Sequence, residues 1–314
     1  MFSTIDQLWR NTINHLLLKD DVQQSRVGKT KEIIGFSAKL SDIDRTFLLN
    51  TRRRLSPYYA CAETLWYLSY SGCVKMISAY APQYVNFAED GIAYGAYGKR
   101  MWSNLQGQST QSQLDLVIQH LKQDRDSRQC VLTLWTANDL RQAIDKTHKD
   151  LPCTLSMQFL IRDNKLHLVV IMRSNDAWLG LPYDIFAFTT IQHIIAGALS
   201  VETGTYTHQV GSMHLYEKNW DAAEEATRSE HYPIKYVRNQ HDWESKTRWI
   251  VDRNNAVYAE ERYRLQYELH QIQNITSEPL RDLVAVCAHK WGHILTIKSS
   301  LLKIALQFER KTVC

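Results

Sequence analysis

The stretch Leu151-Pro152-Cys153-Thr154, with two runs that follow it, decides how the fold of this chain is interpreted. The later runs are Met172-Arg173-Ser174-Asn175-Asp176 and Gly180-Leu181-Pro182-Tyr183-Asp184. On its own, a cysteine in front of a strand is more often a small buried apolar residue than a nucleophile. If Cys153 and Arg173 lie on adjacent strands, the guanidinium can lower the pKa of the thiol and bind a phosphate. A thiolate beside a phosphate site, with a carboxylate beyond it, is typical of enzymes that modify nucleotides, so we interpret Cys153 as a catalytic thiol.

Strand-like and helical segments surround this stretch without a regular alternation. The runs predicted to be strands are 130–135, 155–161 and 166–172. Asp163-Asn164 fits a turn that joins the last two into a hairpin, and a further short strand is predicted at 32–36. Helical spacing is found at 3–18, 58–70, 111–123 and 183–199. The segment 86–102 is rich in Gly and Tyr and is predicted to be a loop, so the mixture of elements favours an α+β fold.

The last part of the chain is predicted to be helical. Residues 256–272 and 278–310 carry apolar residues at helical spacing, and Ser277 is a suitable N-cap for the second segment. We therefore divide the chain into a catalytic domain at 1–240 and a C-terminal helical extension at 241–314. The extension is expected to pack on the core or on a dimer partner.

The composition is that of a globular protein with reduced thiols. Of the 314 residues 44% are hydrophobic, and a net charge of +4 is too mild for a dedicated nucleic-acid binder. The six cysteines form no CxxC pair and no zinc spacing, and His289 and His293 lack a third ligand, so we expect no metal. The first residues lack the features of a signal peptide, and the apolar run 185–201 is interrupted by Gln192. We expect a cytoplasmic protein (in the host cytoplasm, if a phage encodes it) that needs neither membrane nor nucleic acid.

A series of motifs in a fixed order extends over roughly residues 20–220. In chain order they are a loop at Arg26, Glu63-Thr64-Leu65-Trp66-Tyr67-Leu68, Tyr97-Gly98-Lys99, Asp126-Ser127-Arg128, Pro152-Cys153, Gln158-Phe159, Arg173-Ser174-Asn175-Asp176, Gly180-Leu181-Pro182 and His214-Leu215-Tyr216. In these motifs the chain resembles the thymidylate synthase family. The resemblance implies a thymidylate synthase-like fold with a mixed β-sheet packed with helices. It also implies a folate-dependent transferase of one-carbon groups that acts on a pyrimidine nucleotide as a homodimer.

Within this family the chain is more similar to the phage deoxycytidylate hydroxymethylases than to the thymidylate synthases themselves. Thr154 follows the nucleophile where thymidylate synthases carry histidine, and the segments 160–163 and 172–176 are similar to the hydroxymethylase strand pair. Asp184 stands where thymidylate synthases use an asparagine to read uracil. The resemblance therefore implies dCMP as the nucleotide substrate.

The aspartate has a physical interpretation. Uracil shows a donor at N3 and an acceptor at O4, whereas cytosine shows an acceptor at N3 and an amino donor at C4. A protonated carboxyl group donates to N3 and accepts from the amino group, so we predict a raised pKa for Asp184. An alternative is that Asp184 caps a helix at 185–199, and the two roles can coexist.

The resemblance also implies a role for each matching residue. The nucleotide and its 5′-phosphate would be held by Arg26, Arg173, Ser174 and Gly180. Arg128 would reach the phosphate in the partner subunit, and Gln129 stands where the family usually has a second arginine.

The remaining roles concern the sugar, the folate and the proton transfers. His214 and Tyr216 would contact the sugar 3′-hydroxyl, and Asp176 would anchor the pterin. Glu63 would organise water near the base and the folate, and Tyr97 would lie near the C5 proton that is lost.

The implied reaction begins when Cys153 adds to C6 of cytosine, which makes C5 nucleophilic toward the methylene of 5,10-methylenetetrahydrofolate. Water near Glu63 then completes the hydroxymethylation. Other functions stay open: a CMP 5-hydroxymethylase of nucleoside natural-product biosynthesis, a dCMP or dUMP C5-methyltransferase, and a nucleotide- or RNA-binding relative without activity. The intact set of Cys153, Glu63, Asp184 and Arg173 argues against the last of these.

Overall fold

The protein is described here by a computed structural model that covers residues 1–25, 27–102, 111–229, 249–265 and 274–311. Its strands are β1 (Val22–Gln24), β2 (Lys29–Leu40), β3 (Val131–Thr133), β4 (Thr154–Arg162), β5 (Lys165–Asp176) and β6 (Glu202–Tyr216). They form a six-stranded sheet in the order β1-β2-β6-β5-β4-β3. Only β5 and β6 among these strands pair in parallel, so the sheet is mixed and the predicted α+β class is confirmed.

Helices cover the sheet and the chain ends. They are α1 (Ile5–Leu17), α2 (Pro57–Leu68), α3 (Tyr97–Trp102), α4 (Gln113–Gln123), α5 (Ala137–Asp145), α6 (Gly180–Leu199), α7 (Trp220–Arg228), α8 (Trp249–Arg264), α9 (Glu278–Lys290) and α10 (Ser300–Lys311). Within the described ranges, none of these helices is both long enough and apolar enough to cross a membrane.

The predicted hairpin joins β4 and β5. Asp163 and Asn164 have φ values of 50° and 57°, a left-handed pair that suits a two-residue turn and that these residue types tolerate well. At the far end of the hairpin the register shifts between Thr154 and Ser156, which marks a β-bulge. A bulge bends its strand locally, and this one lies immediately after Cys153.

The connection between β5 and β6 brings strand ends together at one edge of the sheet. The two strands are parallel, so a crossover must join them, and α6 supplies it with a helix that is buried on almost every side. Their carboxyl ends therefore meet, with Asp176 opposite His214. Because β4 is antiparallel to β5, it begins at this same edge, where Thr154 pairs with Met172.

Helix α2 lies against α6 and is buried along its whole length. Ser56 is its N-cap and accepts a hydrogen bond from the backbone N–H of Tyr59 at 3.3 Å, with Pro57 in the first position. At the other end the guanidinium of Arg253 donates to the carbonyl of Leu68 at 3.0 Å. A cation at the carboxyl end of a helix complements the helix dipole, so α8 stabilises α2.

The C-terminal helices differ from the prediction in one respect. The single helix predicted at 278–310 is wrong, because α9 ends at Lys290, Gly292 adopts a φ of 87°, and helix resumes only at α10. Ser277 takes the predicted N-cap position, although its side chain makes no capping hydrogen bond. The carboxylate of Asp252 instead accepts from the Ser277 backbone at 3.2 Å.

These helices rest on the catalytic part of the described chain. Helix α9 packs on α2 and α8, and the indole of Trp291 donates to the hydroxyl of Tyr80 at 2.9 Å. The proposed boundary at residue 240 and the predicted helical residues 266–272 lie outside the described residues. The division into two domains therefore stays a prediction.

Three other segments also differ from expectation. The loop predicted at 86–102 contains α3, whose Gly98 approaches α2 so closely that a Cβ there would lie 2.6 Å from the carbonyl oxygen of Trp66. Strand β2 is longer than the predicted 32–36, and β6 was not predicted. The inward side of β6 includes the buried His208, which interrupts the apolar alternation that would have indicated a strand.

Candidate active site

A cleft of about 450 Å³ opens at the sheet edge where β5 and β6 end and β4 begins. All but two of the predicted site residues line it: Cys153, Glu63, Asp184, Tyr97, Arg173, Ser174, Gly180, His214, Tyr216 and Asp176. Arg26 lies outside the described residues. Arg128 is exposed before β3, away from the cleft lining, and its carbonyl accepts from the Gln158 side chain at 2.9 Å.

The thiol and the predicted arginine are neighbours, as expected from the hairpin. The backbone N–H of Arg173 donates to the carbonyl of Cys153 at 2.8 Å. The guanidinium then turns along the preceding loop, where Nε donates to Pro152 O at 3.0 Å and Nη2 donates to Leu151 O at 3.1 Å. Arg173 therefore holds the loop that presents the thiol.

Arg173 lowers the pKa of the thiol, as expected, but burial acts more strongly in the opposite direction. Burial raises the pKa of Cys153 to about 11, and the opposing effect of Arg173 does not overcome it. Desolvation disfavours the thiolate, and part of the guanidinium is already engaged with backbone carbonyls. In the free protein at neutral pH the thiol is thus mostly protonated.

Glu63 projects from α2 into the cleft and is surrounded by phenols. The hydroxyl of Tyr59 donates to Glu63 Oε1 at 2.5 Å, and that of Tyr84 donates to the same oxygen at 3.1 Å. Burial raises the pKa of Glu63, while hydrogen bonds from Tyr59, Tyr84 and Tyr67 act in the opposite direction. Phenol donors stabilise the ionised carboxylate, so they keep part of its acidity inside an apolar site.

Sequence reasoning missed these phenols. Tyr59 lies one helical turn before Glu63, and the i, i+4 spacing on a predicted helix is a signal that would have found it. Tyr84 belongs to a short 3₁₀ segment (Pro82–Phe87), for which no spacing rule places a side chain against α2.

Asp184 lies inside α6 and faces the same cleft. It is 8% exposed, and the amide Nδ2 of Asn175 donates to its Oδ2 at 2.7 Å. Burial, and next the charge of Glu63, raise the pKa of Asp184 well above its ordinary value, in the predicted direction. The capping alternative is wrong, because α6 begins at Gly180 and Leu179 is its N-cap.

The environments of the two carboxyl groups divide the charge between them. The anion of Glu63 is stabilised by several phenols, whereas Asp184 receives one amide hydrogen bond and is disfavoured as an anion by Glu63. When two titratable groups are separated in this way, one acts as the anion and the other as the acid. Of the two carboxyl groups, Glu63 is therefore the one whose anion is better stabilised, and Asp184 the one whose protonated form is more strongly favoured.

Tyr97 contacts the loop of the nucleophile. Its hydroxyl oxygen accepts from the backbone N–H of Thr154 at 3.1 Å, and its ring stacks near Phe188 with centroids 6.2 Å apart. Burial, and then the nearby Cys153, raise the pKa of the phenol well above its usual range. Tyr97 is thus a neutral hydroxyl held next to the thiol.

The polar rim of the cleft comes from β5 and β6. Ser174 Oγ lies 3.5 Å from His214 Nδ1, and the rings of His214 and Tyr216 meet edge to face at 5.0 Å. Asp176 has an additional structural role, because its Oδ1 accepts from the backbone N–H groups of Trp178 and Leu179 at 2.8 and 3.1 Å. That pair of bonds forms the turn that leads into α6.

The outer wall of the cleft is apolar and partly exposed. Phe87 is 48% exposed and Leu179 is 55% exposed, and Tyr84 meets Phe87 edge to face with centroids 6.2 Å apart. Large apolar side chains that stay exposed at the mouth of a cleft mark a surface for a flat apolar ligand. This wall was not predicted from the sequence.

The molecule is thus an α+β protein in which a thiol and two buried carboxyl groups line one cleft. A family model described as thymidylate synthase matches residues 7–255, and the chain belongs to the thymidylate synthase family. Its fold is also similar to that of the thermostable thymidylate synthase A from Bacillus subtilis, with a TM-score of 0.63, 22% identity, and coverage of 73% of this chain and 85% of the other.

Two curated relatives differ in the reaction that their names give. The chain is 30% identical over 224 residues to the deoxyuridylate hydroxymethyltransferase of Bacillus phage SP01, which covers 69% of this chain and 58% of the phage protein. It is 28% identical over 206 residues to the thymidylate synthase of Francisella philomiragia subsp. philomiragia, which covers 62% of this chain and 74% of the relative. The similarity thus spans less than two thirds of the phage relative's length.

Proposed function

We propose that this protein is a dCMP 5-hydroxymethylase. It would transfer a one-carbon unit from 5,10-methylenetetrahydrofolate to C5 of the cytosine nucleotide and add water, giving 5-hydroxymethyl-dCMP and tetrahydrofolate. The observation that carries the proposal is the buried Asp184, whose raised pKa favours the protonated form, in one cleft with the thiol of Cys153. A neutral carboxyl group matches the edge of cytosine, which needs a donor toward N3 and an acceptor toward the amino group.

Each step uses a side chain of the cleft. The thiol of Cys153 would give up its proton to water in the cleft. As its sulfur bonds to C6, the π electrons of the C5–C6 bond move to C5, and Asp184 favours this addition by donating to N3. C5 would then bond to the methylene carbon of the folate, and after loss of the C5 proton to water the bond from that carbon to the folate nitrogen breaks, so that tetrahydrofolate leaves and an exocyclic methylene remains on C5. Tyr97 lies beside the thiol, where it can assist loss of the C5 proton. When water adds to the resulting exocyclic methylene, Glu63 accepts its proton and the sulfur leaves C6.

The cleft has groups that suit a folate. The partly exposed wall of Tyr84, Phe87 and Leu179 fits a flat pterin and aminobenzoyl system, and Asp176 lies on the same cleft as a polar anchor. Addition of water needs no hydride, whereas methylation of the thymidylate synthase type does. The hydroxymethyl product is supported by the name of the Bacillus phage relative, which is a hydroxymethyltransferase.

A second candidate is hydroxymethylation of dUMP. It is favoured by the name of the Bacillus phage relative, which gives deoxyuridylate as the nucleotide. The two candidates share every step except the recognition of the base at Asp184.

A substrate panel separates the candidates. The protein would be incubated with methylenetetrahydrofolate and with dCMP, CMP or dUMP, and the products would be identified by mass. We expect 5-hydroxymethyl-dCMP. Turnover of dUMP alone would overturn the base assignment, and a 5-methyl product would overturn the hydroxymethyl ending.

A covalent trap tests whether the chain is an enzyme at all. With 5-fluoro-dCMP and methylenetetrahydrofolate, loss of the C5 proton is blocked, so an adduct should accumulate on the peptide that contains Cys153. Cys153→Ala should form no adduct, whereas the matched variant Cys73→Ala, whose site is half-buried and does not line the cleft, should form it normally. Absence of adduct in the unmodified protein would overturn the proposed activity.

A further inference from the structure

A line of buried polar side chains leads from the cleft into the core. Asn175 Nδ2 lies 2.7 Å from Asp184 Oδ2, and Asn175 Oδ1 lies 3.1 Å from His208 Nε2. The other ring nitrogen of His208, Nδ1, lies 2.7 Å from the hydroxyl of Tyr206. Asn175 is 4% exposed, and His208 and Tyr206 are fully buried. The proposed reaction gives none of these three residues a task.

Each hydrogen bond along this line has a definite donor and a definite acceptor. Burial lowers the pKa of His208 to about 3, so the ring is neutral and carries one N–H. Among the described residues, the Tyr206 hydroxyl has no hydrogen-bond partner other than His208. It must therefore donate to Nδ1, because the reverse arrangement would leave a buried O–H without an acceptor.

The remaining bonds then follow in order. With Nδ1 as an acceptor, the proton of His208 is on Nε2 and is donated to Asn175 Oδ1. The amide of Asn175 is thereby oriented, and its Nδ2 donates to Asp184 Oδ2. The orientation of this amide is set by the hydroxyl of a tyrosine two side chains away.

Gly180 makes room for this arrangement. A Cβ at Gly180 would lie 2.7 Å from Asn175 Nδ2 and 3.2 Å from Asp184 Oδ2. A side chain at the start of α6 would thus displace the amide from the carboxyl group. The contact between Asn175 and Asp184 therefore depends on the absence of a side chain at Gly180.

We propose that Asn175, oriented by His208 and Tyr206, is a positioning residue that fixes which oxygen of Asp184 accepts and which one carries the proton. In a neutral carboxyl group the carbonyl oxygen is the better acceptor, so Oδ2 accepts from Asn175 and the proton is on Oδ1. Oδ1–H and Oδ2 together then present one donor and one acceptor to the base. This pair matches N3 and the amino group of cytosine and places a donor against the N3–H of uracil. The inference rests on the proposed function and adds the source of its base specificity.

Steady-state kinetics of Asn175→Ala with dCMP and dUMP test the inference. We expect the ratio of kcat/KM for dCMP over dUMP to fall by about tenfold, the effect of one hydrogen bond to a charged or buried partner. The hydrogen bond from Asn175 lowers the pKa of Asp184. Loss of this bond should therefore also move the alkaline limb of the pH profile of kcat/KM for dCMP to higher pH. Tyr206→Phe removes only the hydroxyl and should lower the same ratio to a smaller extent.

The matched control is Thr189→Val on the same helix as Asp184. Thr189 is buried, and its hydroxyl bonds to Thr46 at 2.9 Å, so the variant loses a buried hydrogen bond remote from the base. It should lower the melting temperature without changing the dCMP-to-dUMP ratio. If Asn175→Ala lowers activity on both nucleotides equally with an unchanged pH profile, its role is only structural and the inference is overturned.

A measurement without turnover separates this inference from the proposed function. Nitrogen-15 NMR of labelled histidine should show His208 as the neutral Nε2–H tautomer down to pH 5. An Nδ1–H tautomer would overturn the proposed order of hydrogen bonds from Tyr206 to Asp184. If the unmodified protein turns over dUMP alone while His208 is the Nε2–H tautomer, the proposed function fails although these hydrogen bonds exist. If it prefers dCMP and Asn175→Ala keeps that preference, the inference alone fails.

Discussion

The acidity of the Cys153 thiol can be tested on the free protein without knowledge of the substrate. Burial raises its pKa from 9.0 to about 11. At pH 8 this leaves about one thiol in a thousand ionised, against about one in ten for an ordinary cysteine, and the thiolate is the form that reacts. The difference corresponds to about 2.7 kcal/mol against ionisation.

The assay is alkylation by iodoacetamide over pH 7 to 12, followed by mass spectrometry of the peptide that contains Cys153. The rate constant should rise about tenfold per pH unit up to about pH 10, be about half-maximal near pH 11 and level off above it. Limited access to the thiol lowers every rate by the same factor, so the pH of the inflection reports the ionisation. A rate that is half-maximal at pH 9 or below, as for an unshifted thiol, would refute the conclusion that burial outweighs the arginine.

A pair of variants tests the contribution of the arginine. Arg173 lowers the pKa of the thiol, so Arg173→Gln should move the inflection to higher pH. The matched control is Arg125→Gln, because this exposed arginine bonds to Asn164 at 2.7 Å at the other end of the hairpin. The control should leave the inflection unchanged, and an equal shift in both variants would show that the effect is not local.

Further predictions concern specificity, assembly and stability. Asp184→Asn should shift the preference in kcat/KM from dCMP toward dUMP, and unchanged dCMP turnover would contradict the assignment of the acid. If Arg128 reaches the partner's site, mixing the inactive variants Arg128→Gln and Cys153→Ala should restore about a quarter of the activity. The reason is that half of the dimers are then mixed and each mixed dimer has one complete site out of two. No recovery after subunit exchange would argue against a shared site. Asp139 accepts from Arg100 at 2.6 and 2.8 Å, and although burial opposes it, these bonds lower the pKa of Asp139. The ionised Asp139 therefore stabilises the folded state above pH 3.8, and this stabilisation is lost as the pH falls through the lowered pKa. Asp139→Asn should lower the free energy of unfolding, measured in urea at pH 7, by about 3 kcal/mol. Equal unfolding curves at pH 7 would contradict this.

The α+β class, the family resemblance and ten of the residues that line the cleft could be predicted from the amino-acid sequence. The hairpin with its Asp163-Asn164 turn is local, so strand length and turn chemistry alone place Cys153 beside Arg173. The order of motifs along the chain then identified Glu63, Asp184 and the rim residues. These inferences succeeded because they depend on residue type and on short-range geometry.

The directions of the pKa shifts and the hydrogen-bond partners of those residues depend on the tertiary structure. The pKa of Cys153 is set by burial, to which distant elements contribute, and the phenols around Glu63 include one from a segment without a regular period. The contact of Asn175 with His208 joins two strands through a pairing that the chain order does not specify, because β6 was not recognised as a strand. Desolvation and through-space hydrogen bonds depend on which groups the whole fold brings together, so spacing along the chain does not determine them.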